Sequence, residues 1–136
     1  MKTFGQLIRL HRYRLLDKQK QLAKLEAESA ELKRQSDHLE AEALIEEARA
    51  EESSYGVMAF ANYFERVKQR RFALNEERAA LFQRVLSARA ALRGAFQELK
   101  RIEILRDQKI ADAEAAEKKA EQATLDEIAL LHRNRD

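Results

Sequence analysis

The chain has 136 residues, which allows one domain and little more. It contains no proline, no cysteine and only three glycines, which leaves few places for the backbone to turn and excludes disulfides, thiolate chemistry and cysteine-ligated zinc. Charged side chains make up 37%, the net charge is +2, and no apolar run approaches the ~20 residues that span a bilayer. This composition is typical of long helices and coiled coils.

A first helix is predicted over residues 4–51. Apolar residues recur there at spacings of three and four, with polar interruptions, and form a heptad seam made of Phe4, Ile8, Leu15, Leu22, Leu25, Leu32, Leu39 and Ala43. His11 also falls on this seam. We interpret it as a polar residue that fixes the register of the helices rather than as a metal ligand.

A turn is predicted at residues 52–56. Ser53, Ser54 and Gly56 carry the turn chemistry of the chain interior, because glycine tolerates positive φ and serine can cap the helix that follows. Two helices joined by so short a connection must pack antiparallel.

A second helix is predicted over residues 57–133, with a stronger seam that comprises Val57, Phe60, Phe64, Val67, Leu74, Leu81, Val85, Ala88, Leu92, Ala95, Leu99 and Ile102. Gly94 is interpreted as a tolerated helical glycine. At ~1.5 Å per residue, the first helix ends opposite about residue 105 of the second. The heptads fail at the same place, so the remaining residues are predicted to overhang without a partner helix and either to fray or to dock on another molecule.

The predicted fold is therefore a single all-α domain, a long two-helix antiparallel coiled-coil hairpin with an overhanging C-terminal helix. The charge pattern supports this prediction. Residues 25–55 carry three basic and ten acidic side chains, whereas residues 56–85 carry six basic and three acidic ones. In a hairpin these segments lie side by side and attract each other.

The end of the hairpin that holds the N-terminus is predicted to be strongly basic. Residues 1–24 carry seven basic and one acidic side chain, and residues 86–106 beside them carry five basic and two acidic ones. One interpretation is a solvated helical face without a partner. Like charges that face each other destabilise the bare hairpin, however, which points to an acidic partner. Nucleic acid or an anionic membrane surface would also supply that charge, but the small net charge and the lack of an aromatic stacking stripe argue against nucleic acid.

A second candidate contact surface lies just after the turn. Tyr63 is off the seam and beside Arg66 and Arg70, and an aromatic residue next to arginine is an arrangement that protein interfaces favour. The alternative is that Tyr63 packs over the end of the hairpin.

Nothing in the sequence indicates an enzyme. A two-helix hairpin has no enclosed pocket, and the chain has no phosphate-binding glycine loop or nucleophile signature. His11, His38 and His132 are far apart, and His38 with Glu42 would supply only two metal ligands. We therefore predict no catalytic residue, no cofactor and no metal.

Three segments resemble the flagellar export protein FliJ family, or its injectisome counterpart: FGQLIRL at 4–10, FANYFERV at 60–67 and LDEIALLHR at 125–133. The resemblance extends over nearly the whole chain in length and layout. It implies a non-enzymatic, cytoplasmic coiled-coil stalk of the flagellar type III export apparatus, which reaches the inner face of the cell membrane only through its partners. The implied partners are the hexameric export ATPase, the cytoplasmic part of the membrane export gate and export chaperones, and not nucleic acid.

The resemblance also implies contact residues. Those for the export gate map to Tyr63, Val67, Arg70 and Leu74, although Arg70 stands where the family usually has a small residue. Those for the ATPase ring fall at the basic end, on Arg9, Arg12, Arg14, Lys100 and Arg101. Two alternatives from other classes stay open, namely a self-associating coiled-coil scaffold and a binder of polyanions or membrane surfaces.

Overall fold

Two α-helices account for nearly all of the described chain. The computed structural model describes residues 3–52 and 54–135, except for the side chains of Ser54, Tyr55 and Val57. Helix α1 spans Phe4–Ala50 and helix α2 spans Ser54–Arg135, and the described ranges contain no strand. The predicted all-α two-helix hairpin is confirmed.

The connection between the helices is shorter than the predicted turn at 52–56. It comprises residues 51–53, of which the structure describes Glu51 and Glu52. The amide of Glu52 donates to the carbonyl of Arg49 at 3.2 Å, which tightens the last turn of α1. Helix α2 already begins at Ser54, so Gly56 lies in its first turn. No described glycine has a positive φ, so the tolerance of glycine for that conformation is not used at Gly56. Ser53 lies outside the described residues.

The start of α1 is fixed by a reciprocal pair of hydrogen bonds. The amide of Gln6 donates to Oγ1 of Thr3 at 3.3 Å, and the amide of Thr3 donates to Oε1 of Gln6 at 3.1 Å. This is a capping box, in which a threonine and a glutamine three residues later satisfy amides that the first helical turn leaves without partners.

The chain divides into two compact units, which we call the hairpin unit, Leu16–Gly94, and the terminal unit, Met1–Leu15 with Ala95–Asp136. In the hairpin unit the seam of α2 forms the centre of the core. Val67, Leu74, Leu81 and Val85 are buried there, at the heptad spacing of seven and four. The facing seam residues of α1, such as Leu25, are half-buried. The single-domain organisation stays a prediction.

Polar contacts join the two helices of the hairpin unit along the seam. Arg71 interrupts the apolar seam of α2, and its guanidinium donates to both carboxylate oxygens of Glu40 on α1, at 2.7 and 3.0 Å. Arg89 lies 3.8 Å from Glu26 in a second pair across the seam. These pairs join an acidic α1 to basic positions of α2, as the charge pattern predicts. From the first pair to the second, the residue number falls along α1 and rises along α2, as it must in an antiparallel pair.

In the terminal unit the contact between helices is brief. Ile8 of α1 and Leu99 of α2 are buried, and Ile102, Glu103 and Arg106 are half-buried. Every described residue from 107 to 135 is exposed, yet this segment is helical throughout. The predicted overhang is thus present as a continuous helix, without intrachain packing over those residues.

Shortening Leu74 to alanine should destabilise the hairpin unit, because this side chain is only 1% exposed and its removal leaves a cavity in the seam. We expect Leu74→Ala to lower the free energy of unfolding by about 2–5 kcal/mol. The measurement is urea denaturation followed by circular dichroism.

Phe82→Ala is the matched control, because Phe82 lies on the same helix but is 56% exposed. Its effect should stay within about 0.5 kcal/mol. Equal losses for the two variants would contradict the burial pattern described above.

Candidate interaction surfaces

The surface nearest the turn is built around Tyr63 in the hairpin unit. Its ring is half-buried, with its centroid 6.3 Å from that of Phe60, and Phe60 stacks in turn on Phe64 at 5.7 Å. Desolvation raises the pKa of the Tyr63 phenol, and the carboxylates of Glu42 and Glu46 raise it further. The phenol is therefore a neutral hydrogen-bonding group at the edge of an aromatic cluster.

A shallow groove of about 270 Å³ runs beside this cluster, and Tyr63 and Arg66 line it together with Glu46 and Arg49 of α1. Tyr63 was considered either as a contact residue or as packing over the end of the hairpin, and its surroundings are compatible with both. One side of the ring packs on Phe60, and the side chain also borders a groove that opens to solvent.

The four residues that the resemblance assigns to the export gate fall into two groups. Tyr63 and Arg70 reach the surface, and Arg70 donates to Oε1 of Gln35 across the seam at 3.2 Å. Val67 and Leu74 are buried, at 3% and 1% exposure, because α1 covers them. A direct contact by these two side chains would require the helices to separate, so their role in this structure is to hold the hairpin together.

Several large apolar side chains are exposed on the hairpin unit, and the sequence analysis did not single them out. They lie off the heptad seam, where the helix pattern predicts polar residues: Leu44, Ile45, Phe72 and Phe82. The sequence does carry a signal for them, because large apolar residues stand at helix positions outside the heptad seam.

The basic end lies in the terminal unit, where all five predicted ATPase-contact residues are exposed. Two of them have partners on their own helix: Lys100 lies 3.5 Å from Glu103 and 5.4 Å from the centroid of Phe96, and Arg101 lies 3.2 Å from Glu98. Arg9, Arg12 and Arg14 have no acidic partner among the described residues. Their charge is available to another molecule.

A shallow groove of about 390 Å³ adjoins the basic residues of α2, between the side chains of Phe96, Lys100, Arg101, Ile104 and Leu105. Its surface combines apolar side chains with two cations. Farther along α2, the exposed overhang carries Ile110, Leu125, Ile128, Leu130 and Leu131. The terminal unit therefore offers both charge and apolar area to a partner.

The histidine and carboxylate side chains of the described residues do not gather into a metal site. His38 lies 3.0 Å from Glu42, both are exposed, and the described chain has no group of three or more histidine, aspartate or glutamate side chains placed to hold a metal ion. Over the same residues, neither helix has a segment that is both long enough and apolar enough to cross a lipid bilayer.

The acidic part of α1 contains one strongly perturbed carboxyl group. Arg34 donates to both oxygens of Glu31, at 2.9 and 2.7 Å, and Gln35 adds a third hydrogen bond at 3.2 Å. These bonds favour the charged form and lower the pKa of Glu31 from 4.5 to about 2. Glu31 is thus a fixed negative charge over the whole physiological range.

Replacing Arg34 with glutamine should raise the pKa of Glu31 from about 2 towards 4.5, because two charge-assisted bonds are lost. A carboxyl group whose pKa is lower in the folded state stabilises that state above pH 4.5, and this contribution is lost as the pH falls towards 2. Carbon-detected NMR titration of Glu31 in both proteins measures the shift. Arg101→Gln is the control, and an unchanged Glu31 pKa in Arg34→Gln would contradict the assignment.

The family model described as "Flagellar FliJ protein" matches residues 1–136, the whole chain. Neither the curated proteins nor the solved structures gave a significant match. A match over the full length, on a chain with two packed helices and a basic terminal unit, shows that this protein belongs to the flagellar FliJ family, with a role in flagellar protein export.

Proposed function

We propose that this protein is a non-enzymatic stalk of the flagellar export apparatus that binds the hexameric export ATPase through the basic residues of its terminal unit. The observation that carries this proposal is the absence of acidic partners for Arg9, Arg12 and Arg14 among the described residues. Three cations within six residues of one helix repel each other in the free protein, and an acidic surface would relieve that repulsion.

The neighbouring part of α2 fits the same role. Lys100 and Arg101 are exposed beside the groove of Phe96, Ile104 and Leu105, which offers apolar contact next to charge. Interfaces combine a desolvated apolar centre with charged groups at the rim, and the rim charges mainly set the association rate and the specificity. Lys100 and Arg101 are therefore secondary contacts in this proposal, because each already has a carboxylate partner.

Contact with the cytoplasmic part of the export gate is assigned to the surface near the turn. Arg70 is its exposed member, and Tyr63 is half-buried beside the shallow groove. Tyrosine and arginine are enriched among the residues that dominate binding energy at interfaces. Val67 and Leu74 serve this surface indirectly by fixing α2 on α1.

Export chaperones are the third class of partner. Leu125, Ile128 and Leu131 are exposed at spacings of three on one face of the overhang, and this face would bind an apolar groove of such a partner. The proposal places the protein in the cytoplasm, associated with the membrane through the gate. It involves no nucleic acid, catalytic residue or cofactor.

The combined substitution of Arg9, Arg12 and Arg14 by glutamate tests the ATPase contact. Reversal of three unpaired charges should weaken binding to the cognate ATPase by ~10-fold or more, which corresponds to about 1.4 kcal/mol. Surface-immobilised ATPase and a titration of each protein measure this loss, and stimulation of ATP hydrolysis gives a second readout.

A triple reversal of Arg66, Lys68 and Arg78 is the matched control. It changes the net charge by the same amount in the hairpin unit, at residues outside the proposed contact, and should leave ATPase binding near that of the unmodified chain. Equal losses in both variants would mean a non-specific charge effect. Unchanged binding in the first variant would reject the basic terminal unit as the ATPase contact.

A further inference from the structure

A groove between the helices of the hairpin unit has no part in the proposed function. It has a volume of about 730 Å³ and is larger than the two grooves described above. Its centre is formed by two alanines, Ala27 of α1 and Ala80 of α2, and its floor by Leu32 and Leu81. The small alanine side chains leave space over the seam that the side chains of another helix can fill.

The charges along this groove are arranged in order. Lys24 and Arg84 line one part of it, and Glu31 and Glu77 line another. Because the helices are antiparallel, numbers rise along α1 while they fall along α2. Lys24 is therefore level with Arg84, and Glu31 is level with Glu77, about two helical turns away. One end of the groove is positive and the other is negative.

Most of these charges are not neutralised within the chain. Lys24, Arg84 and Glu77 take part in no ion pair or hydrogen bond among the described residues. Glu31 does have a partner, Arg34, which keeps its carboxylate ionised. A charged group without a partner beside an apolar groove can be paired by a molecule that carries the opposite order of charges.

We propose that the molecule bound in this groove is a second copy of the chain, related by a two-fold axis perpendicular to the helices. Rotation about such an axis reverses the helix direction and keeps α1 opposite α1 and α2 opposite α2. The positive end of each groove then faces the negative end of the other. Arg84 pairs with Glu77 of the second copy, and Lys24 pairs with Glu31 of the second copy.

The position of the axis agrees with the packing. It passes midway between the charged ends, which is where Ala27 and Ala80 lie, so the smallest side chains meet where the helices approach most closely. The product is a four-helix contact over an apolar centre with ion pairs on both sides. Glu28 also lies near the axis, one turn from Lys24. Its carboxylate repels the carboxylate of Glu28 of the second copy.

This self-complementarity favours a second copy over a helix from another protein. A foreign helix would have to carry its own matching order of charges, whereas two copies supply both halves of every pair. The groove is lined by none of the basic residues of the terminal unit and not by Tyr63, so the inference is independent of the proposed contacts with the export ATPase and gate.

A charge exchange within α2 tests the proposal on the full chain. Arg84→Glu places two like-charged pairs in the homodimer, and Glu77→Arg does the same with the opposite sign. Sedimentation velocity at low salt should show the unmodified chain approaching twice its 15.8 kDa mass as concentration rises. Each variant alone should remain near the single mass, at least ~10-fold weaker in self-association.

Mixing the two variants should restore association. One copy then has carboxylates at both positions 77 and 84, and the other has guanidinium groups at both, so both pairs across the axis are again attractive. Rising salt should weaken both the unmodified dimer and the mixed one. A monomeric unmodified chain, or association that is unaffected by the two substitutions, would overturn the proposal, and so would a mixture that stays dissociated.

A second measurement locates the axis. The chain has no cysteine, so Ala80→Cys introduces a single thiol, and two copies should oxidise to a disulfide-linked dimer. Ala79→Cys is the matched control, since the adjacent residue points about 100° away around the helix. Equal crosslinking of the two variants would overturn the proposed axis. Glu28→Gln should tighten the dimer by removing the like charges near it, and a weaker dimer would also count against the arrangement.

Discussion

The structure depends on the burial of one heptad stripe of α2 against α1. Val67, Leu74, Leu81 and Val85 are the buried members in the hairpin unit, and they remove apolar surface from water that neither helix could cover alone. An isolated helix is marginal in water, so most of its stability has to come from such packing. Without the stripe, α1 would lose its partner, and the aromatic cluster around Tyr63 would lose its support.

Beyond the seam, the surface is divided by charge. The acidic part of α1 pairs with arginines of α2 through Arg71 and Arg89, whereas Arg9, Arg12 and Arg14 in the terminal unit have no acidic partner among the described residues. The first group of charges supports the antiparallel pairing. The second group adds repulsion to the free protein, which an acidic binding partner would relieve. Family membership gives the protein a role in flagellar export, and the unpaired charge of the terminal unit is the basis of the proposed contact with the export ATPase.

The helical seams, the antiparallel pairing and the exposed overhang could be predicted because each follows from a periodic pattern. Other features could not. The predicted turn includes Gly56 because glycine tolerates positive φ, but α2 begins at Ser54 and contains that glycine without a positive φ. The capping box of Thr3 and Gln6 has a recognisable spacing, but a search for apolar periodicity overlooks it. The groove of Ala27 and Ala80 depends on which residues of α1 and α2 lie side by side. The apolar pattern of a single helix does not contain that information.

The most direct test of the central claim is a distance across the seam at Glu40 and Arg71, whose side chains are hydrogen-bonded at 2.7 Å. Both residues are replaced by cysteine in the cysteine-free chain, and a short bismaleimide is added at high dilution. A chain that folds α1 back on the seam of α2 gives a crosslink within one molecule, whereas cysteines at 40 and 82 do not. Crosslinks only between molecules, or equal yields for both pairs, would contradict the antiparallel seam.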